Sequence, residues 1–273
     1  MIKIGNRNNL EVSRLVDFGA YLREPGGEVE ILLPARYIYA PLQPGDMIDV
    51  FVYIDSEDRP VATTLTPRAE VGQVAVLNVI SAGRMGAWLD WGLAKDLLVP
   101  LSEQKKRMIE GRSYPVYVML DDASKRVVAS SKIEKHLGNL LPDYRRGQSV
   151  EAIVFDRNEV GFRCAVDSKH LGILYADELY TPLRIGDKVT AFVKQVRSDG
   201  KIDLTLSAHA EERTHKLADR IVEALKHNGG HIALCDNSSP EEIRREFQCS
   251  KKDFKKAVGH LMKTGRASRE NFG

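Results

Sequence analysis

The chain has 273 residues, 43% hydrophobic and 29% charged, with 40 Lys and Arg against 38 Asp and Glu. That balance describes a folded protein of several modules and excludes a disordered chain. No apolar run reaches the roughly 18 to 20 residues of a membrane-crossing helix, and Met1-Ile2-Lys3-Ile4-Gly5-Asn6-Arg7 has no apolar signal core, so a cytoplasmic protein without membrane contact is expected.

Along the chain the charge divides unevenly. Residues 1–66 carry 6 basic and 10 acidic side chains, 67–142 carry 11 and 8, 143–208 carry 10 and 10, and 209–273 carry 13 and 10. A polyanionic partner would therefore meet local stripes and no strongly basic domain. Cys164, Cys235 and Cys249 are odd in number and far apart, without a C-x-x-C pair, so buried free thiols are expected in place of a disulfide framework or zinc knuckle.

The chain repeats itself with a period of about 70 residues. Gly5, Val12, Gly19-Ala20 and Leu22 recur 67 residues later as Gly72, Val79, Gly86-Ala87 and Leu89. After a one-residue slip, Pro34, Gly45, Val50, Val52 and Asp55 recur as Pro100, Gly111, Val116, Val118 and Asp121. A shift of 75 then carries Gly72-Gln73, Val79, Gly86, Pro100, Gly111 and Val118 onto Gly147-Gln148, Val154, Gly161, Tyr175, Gly186 and Val193. Three tandem units follow, over 1–66, 67–142 and 143–208.

Within the first unit, Leu10-Glu11-Val12, Gly19-Ala20-Tyr21-Leu22, Glu30-Ile31-Leu32-Leu33, Met47 to Ile54 and Pro60 to Thr64 are β-branched or aromatic runs punctuated by Gly, Pro and Asp. So small a five-stranded sheet closes on itself to remove its edges, which predicts an OB-type barrel. Glycines at the strand bends, Gly19, Gly86 and Gly161, suit a sheet that curls sharply.

These residues carry a resemblance. Gly172-Ile173-Leu174-Tyr175-Ala176-Asp177-Glu178-Leu179, Gly186-Asp187-Lys188-Val189 and Asp199-Gly200-Lys201-Ile202-Asp203-Leu204-Thr205-Leu206-Ser207 resemble the S1-type RNA-binding repeat of the large ribosomal small-subunit protein. Gly86-Ala87-Trp88-Leu89-Asp90 with Leu97-Leu98-Val99-Pro100 is similar. The resemblance implies a binding face with two aromatics around the second strand's glycine, a His ending the third strand, and an Asp and a basic residue at the last turn. Carried over, these are Phe18, Tyr21, Asp55 and Arg59 in the first unit, and Trp88, Asp121 and Arg126 in the second, with Met85 replacing the first aromatic. The third offers Tyr175 at the His position with Arg197 and Lys201, while Val160 and Arg163 replace both aromatics. Pro34 and Pro100 stand at the His position elsewhere.

Exposed rings offer sequence-tolerant stacking of roughly 1 to 3 kcal/mol per base, and rim cations neutralise phosphates. Tyr21 and Trp88 are expected on such a face and Trp91 in the core. Phe18 stands three residues from Tyr21, so strand alternation sends the two rings to opposite sides unless a bulge at Gly19 realigns them. Arg59, Arg126 and Lys201 read equally as phosphate contacts or as solvated turn residues.

Beyond residue 208 the period becomes helical. Leu217, Ile221, Val222 and Leu225 predict one helix, Ile243 and Phe247 a second, and Phe254, Val258, Leu261 and Met262 a third. Ser239-Pro240-Glu241-Glu242 is a capping box and Ser250 a second N-cap. With a strand at His231-Ile232-Ala233-Leu234, the segment resembles a small α/β winged helix. Its wing strand would come from Arg266-Ala267-Ser268-Arg269, close to the last residue, Gly273. Lys252, Lys256 and Lys263, flanked by Lys251 and Lys255, line the side of the third helix opposite its apolar stripe, as a phosphate-binding or merely solvated face.

Three S1-like repeats followed by Ser239-Pro240-Glu241-Glu242-Ile243 and Phe254-Lys255-Lys256-Ala257-Val258-Gly259 resemble the bacterial conserved virulence factor B family over essentially the whole chain. That resemblance implies an RNA-binding regulator of gene expression. No Walker loop, G-x-S-x-G or H-E-x-x-H is present, and His136, His170, His209, His215, His227, His231 and His260 fall in no metal-ligand spacing. The expectation is a mainly β protein of three tandem OB barrels and a winged helix, non-enzymatic, with neither cofactor nor metal. Its expected partner is single-stranded RNA, with DNA the alternative nucleic acid. The rival reading is an adaptor that contacts the transcription or translation machinery.

Overall fold

The computed structural model describes residues 1–179, 182–206, 210–235 and 237–273; His209 lies outside them. Two compact units divide the chain, 1–206 and 207–273. The first holds strands β1 (Arg7–Val16), β2 (Gly19–Arg23), β3 (Ile31–Pro34), β4 (Met47–Ile54) and β5 (Pro60–Thr63). It continues with β6 (Val74–Ala82), β7 (Gly86–Leu89), β8 (Leu97–Pro100), β9 (Ser113–Leu120) and β10 (Val127–Ser130). The last five are β11 (Ser149–Arg157), β12 (Gly161–Val166), β13 (His170–Tyr175), β14 (Lys188–Val196) and β15 (Ile202–Thr205). They form three closed five-stranded barrels, the first ordered β1-β2-β3-β5-β4. The third and fifth strands of each run parallel, through Leu32 opposite Val61, Leu98 opposite Val128, and Ile173 opposite Asp203.

Apolar alternation fills each interior: Val12, Leu22, Leu33, Val52 and Ala62 are buried in the first barrel, and Val79, Leu89, Val99, Val118 and Ala129 at matching places in the second. The repeated glycines stand where the sheet turns most sharply. A β-carbon on Gly19, Gly86 or Gly161 would lie 2.1, 2.2 or 2.2 Å from the carbonyl oxygen of Leu33, Val99 or Leu174. Each first strand also slips register once, between Val12 and Arg14, Val79 and Ser81, and Val154 and Asp156, the bulge that lets a long strand serve both sides of a barrel.

The barrels pack in series. Phe51 and Tyr53 of β4 belong to the core of the second barrel, where Phe51 meets Trp91 edge to face at 5.4 Å. Between the second and third, Val74, Ile133, Leu137, Ile153 and Ala165 form a separate apolar cluster. Cys164 is buried and Cys235 and Cys249 only half-buried, all as free thiols.

The second unit holds α1 (Ala210–His227), α2 (Pro240–Phe247) and α3 (Lys251–Lys263) around Leu217, Ile221, Ile243, Phe247, Phe254 and Leu261. Ser239 and Glu242 form the expected capping box and Ser250 caps α3. Among the described residues the expected strands shrink to one parallel bridge between Ile232 and Phe272. Arg266–Arg269 does not extend because Ser268 and Asn271 close a 3-10 turn on each other, and Arg266 reaches back to Asp219 at 2.8 Å.

Candidate nucleic-acid interface

On the first barrel Phe18 is 58% exposed and touches Tyr21 edge to face, the ring centroids 6.4 Å apart. Alternation does not separate them because Phe18 lies in the Asp17–Phe18 turn, outside β2, whose first residue is Gly19. The sequence reading missed Arg14, whose guanidinium lies 3.9 Å above the Tyr21 ring and is held by Glu30 at 2.8 Å. The bond from Arg14, joined by one from the Ser13 hydroxyl, holds the Glu30 carboxyl below the usual range. A base stacking on that face of Tyr21 would replace Arg14 or use the opposite side. Arg59 is paired with Asp55 at 3.0 Å and Glu57 at 2.8 Å. Burial works to raise the Asp55 carboxyl, but hydrogen bonds from the Arg59 backbone and side chain hold it below the ordinary range.

On the second barrel Trp88 is half-buried, directly opposite Leu98, which in turn lies opposite Val128. This row across β7, β8 and β10 floors a cavity of about 500 Å³. The loop residues Lys95 and Asp96 form one side, and the β9–β10 turn with Asp121 and Arg126 another. The first barrel closes it: Tyr53, Ile54 and Asp58 come from β4 and its turn. Arg126 spans the junction to Asp58 at 2.7 Å, and Lys95 donates to the Ile54 carbonyl at 3.3 Å. Burial, then the neighbouring Arg126, pushes the Lys95 ammonium below its usual pKa. Asp121 accepts from the Ser124 hydroxyl and backbone N–H, which hold it low. Trp91 lies beneath, its indole N–H donating to the Ala69 carbonyl at 2.7 Å. No local spacing points to this cavity, because Asp58 and Arg126 stand 68 residues apart.

The third barrel keeps few of these features. Arg163, at the second aromatic's place, pairs with Glu134 and Asp156 and is absorbed in the junction with the second barrel. Tyr175 donates to the buried Asp203 at 3.0 Å, and Gln195 donates to the other Asp203 oxygen at 2.6 Å. Arg197 and Lys201 both face Asp199, at 3.5 and 3.1 Å. All four rim cations named from the sequence thus have carboxylate partners, Arg59, Arg197 and Lys201 on their own turns and Arg126 on the turn after β4.

In the second unit the apolar side of α3 buries Phe254, Ala257, Val258 and Leu261, leaving Lys255, Lys256, Gly259, Met262 and Lys263 exposed. Lys251 and Lys252 are half-buried at its start. Among the described residues no cluster of His, Cys, Asp or Glu could hold a metal ion, and no helix is long and apolar enough to cross a membrane.

An S1 domain model matches residues 4–65, and a CvfB-like winged helix domain model matches 219–271. Protein YitL of Bacillus subtilis is 28% identical over 98% of this chain and 91% of its own length. Conserved virulence factor B of Staphylococcus saprophyticus is 25% identical over 95% of this chain and 90% of its own. A solved multidomain protein with nucleic acid binding domains from Streptococcus pneumoniae is 24% identical, covering 99% of this chain and 97% of that one, with a TM-score of 0.42. With an S1 domain match at residues 4–65, a CvfB-like winged helix match at 219–271 and relatives aligned along almost its full length, the chain is similar to the conserved virulence factor B proteins.

Proposed function

We propose that the protein binds single-stranded RNA without catalysing a reaction on it and thereby regulates gene expression. The observation that carries this reading is the ring pair of exposed Phe18 and half-buried Tyr21 on the barrel that matches an S1 domain. Trp88 supplies a second stacking surface, and the lysines of α3 a set of phosphate contacts. Since the rim arginines already hold carboxylates, the barrels contribute mainly stacking, and Lys252, Lys256 and Lys263 of α3 carry most of the counterion release.

Titration with a single-stranded oligonucleotide at two ionic strengths tests this reading. Affinity falls as salt rises, Phe18→Ala or Trp88→Ala weakens binding about tenfold, and charge reversal at Lys252 and Lys256 flattens the salt dependence while the fold is kept. Absence of binding even at low salt would sink the proposal and favour an adaptor for the transcription or translation machinery.

A further inference from the structure

The cavity between the first two barrels is built for a ligand more specific than a stacked strand. Trp88 and Leu98 line its floor, and Lys95, Asp96 and Asp121 are among the residues of its walls. Asp58 and Arg126 neutralise each other at 2.7 Å, which leaves one cation and two carboxylates, a net negative lining that repels a phosphate. Asp121 is already engaged by Ser124, whereas half-buried Asp96 makes no hydrogen bond or ion pair among the described residues. An apolar wall with an unused carboxylate and an ammonium supplied by consecutive lining residues suits a planar ring with N–H donors and an acceptor along one edge.

We infer that this junction is a pocket for one unpaired guanine base, stacked on Trp88, its N1–H and N2–H donated to Asp96 and its O6 accepting from Lys95. The inference rests on the nucleic-acid reading above. Guanine alone among the common bases places two N–H groups side by side next to a carbonyl oxygen. Adenine and cytosine would set a ring-nitrogen acceptor against the carboxylate, and uracil offers one N–H between two carbonyls. The volume, about 500 Å³, lies within the roughly 300 to 1,000 Å³ of small-ligand sites and admits the base with its sugar, the phosphate remaining outside. The base can come from a strand of RNA or from a free nucleotide.

Both tryptophans of the chain line this cavity, so intrinsic fluorescence reports its occupancy directly. The full chain is titrated with guanosine, adenosine, cytidine and uridine monophosphates, and with an oligouridine containing one internal guanosine. The expected result is saturable quenching by the guanine ligands, with the other nucleotides at least about tenfold weaker, and loss of that preference in Asp96→Asn with oligouridine affinity unchanged. Tighter binding of the guanosine-bearing oligonucleotide than of the mononucleotide identifies RNA as the source, and the reverse order identifies a free nucleotide; either supports the pocket. Equal response to all bases, or an unaltered preference in Asp96→Asn, overturns it. Oligonucleotide binding without quenching by any guanine ligand overturns the pocket but leaves RNA binding standing, and no binding of any probe overturns both.

Discussion

Gly86 lies so close to the Val99 carbonyl that even a methyl group has no room, since its β-carbon would sit 2.2 Å from that oxygen. The obstacle is backbone of the neighbouring strand, so relief requires opening the β7–β8 pair. Gly86→Ala is therefore expected to destabilise the barrels by about 2 to 4 kcal/mol, read as a lowered urea midpoint by tryptophan fluorescence. Gly259 makes the opposite case: it is exposed on α3, with nothing within 4 Å of a β-carbon. Gly259→Ala should raise stability by roughly 0.5 to 1 kcal/mol, because alanine loses less chain entropy in a helix. Residue identities of this kind are legible in sequence because the repeat places Gly19, Gly86 and Gly161 in register, and position alone fixes their geometry. Side-chain partners are not. Arg14 sits over Tyr21 because the bulge in β1 sets the two opposite each other, and Arg126 meets Asp58 across a barrel junction, neither of which strand alternation alone predicts.

At the scale of elements, the barrel strands and helix starts follow from local chemistry, whereas the wing does not. A capping box announces α2, and Ile243 and Phe247, four residues apart, put the apolar side of that helix inward. The Ser239 hydroxyl accepts from the Glu242 N–H at 3.2 Å, and the Glu242 carboxylate accepts from the Ser239 N–H at 2.8 Å. Ser239→Ala removes the first bond and should cost about 1 kcal/mol, seen as an earlier loss of the helical circular-dichroism signal. An unchanged transition would mean that the burial of Ile243 and Phe247 alone holds the helix. The segment after α3 is different: Arg266-Ala267-Ser268-Arg269 stands where a wing strand is expected, but Ser268 is a turn-closing residue once Asn271 lies three positions on. Competing side-chain hydrogen bonds decided that stretch, and they are satisfied locally where a wing would need a paired strand.

Across the unit of three barrels, the junctions carry chemistry that no single repeat contains. The first encloses the Trp88 cavity, and the second buries imidazoles. His136 stacks on Tyr117 with ring centroids 4.7 Å apart, and its Nε2 is buried without a hydrogen-bond partner, as is Nδ1 of His170. Burial pushes both imidazoles below their ordinary value of 6.5, outweighing Glu103 near His136 and Asp167 near His170, with Lys135 and Lys169 adding to the depression. The unfolded chain, with ordinary imidazoles, then takes up protons at a higher pH than the folded chain does. Stability from these groups is complete above the ordinary value, declines as pH falls through it, and levels off once the folded imidazoles also protonate. Urea unfolding at pH 8, 6 and 5 should show a falling midpoint, and His136→Phe, which keeps a ring against Tyr117 but cannot take up a proton, should flatten part of that fall. If the variant and the parent chain lose stability equally on acidification, the titrating load does not lie on His136.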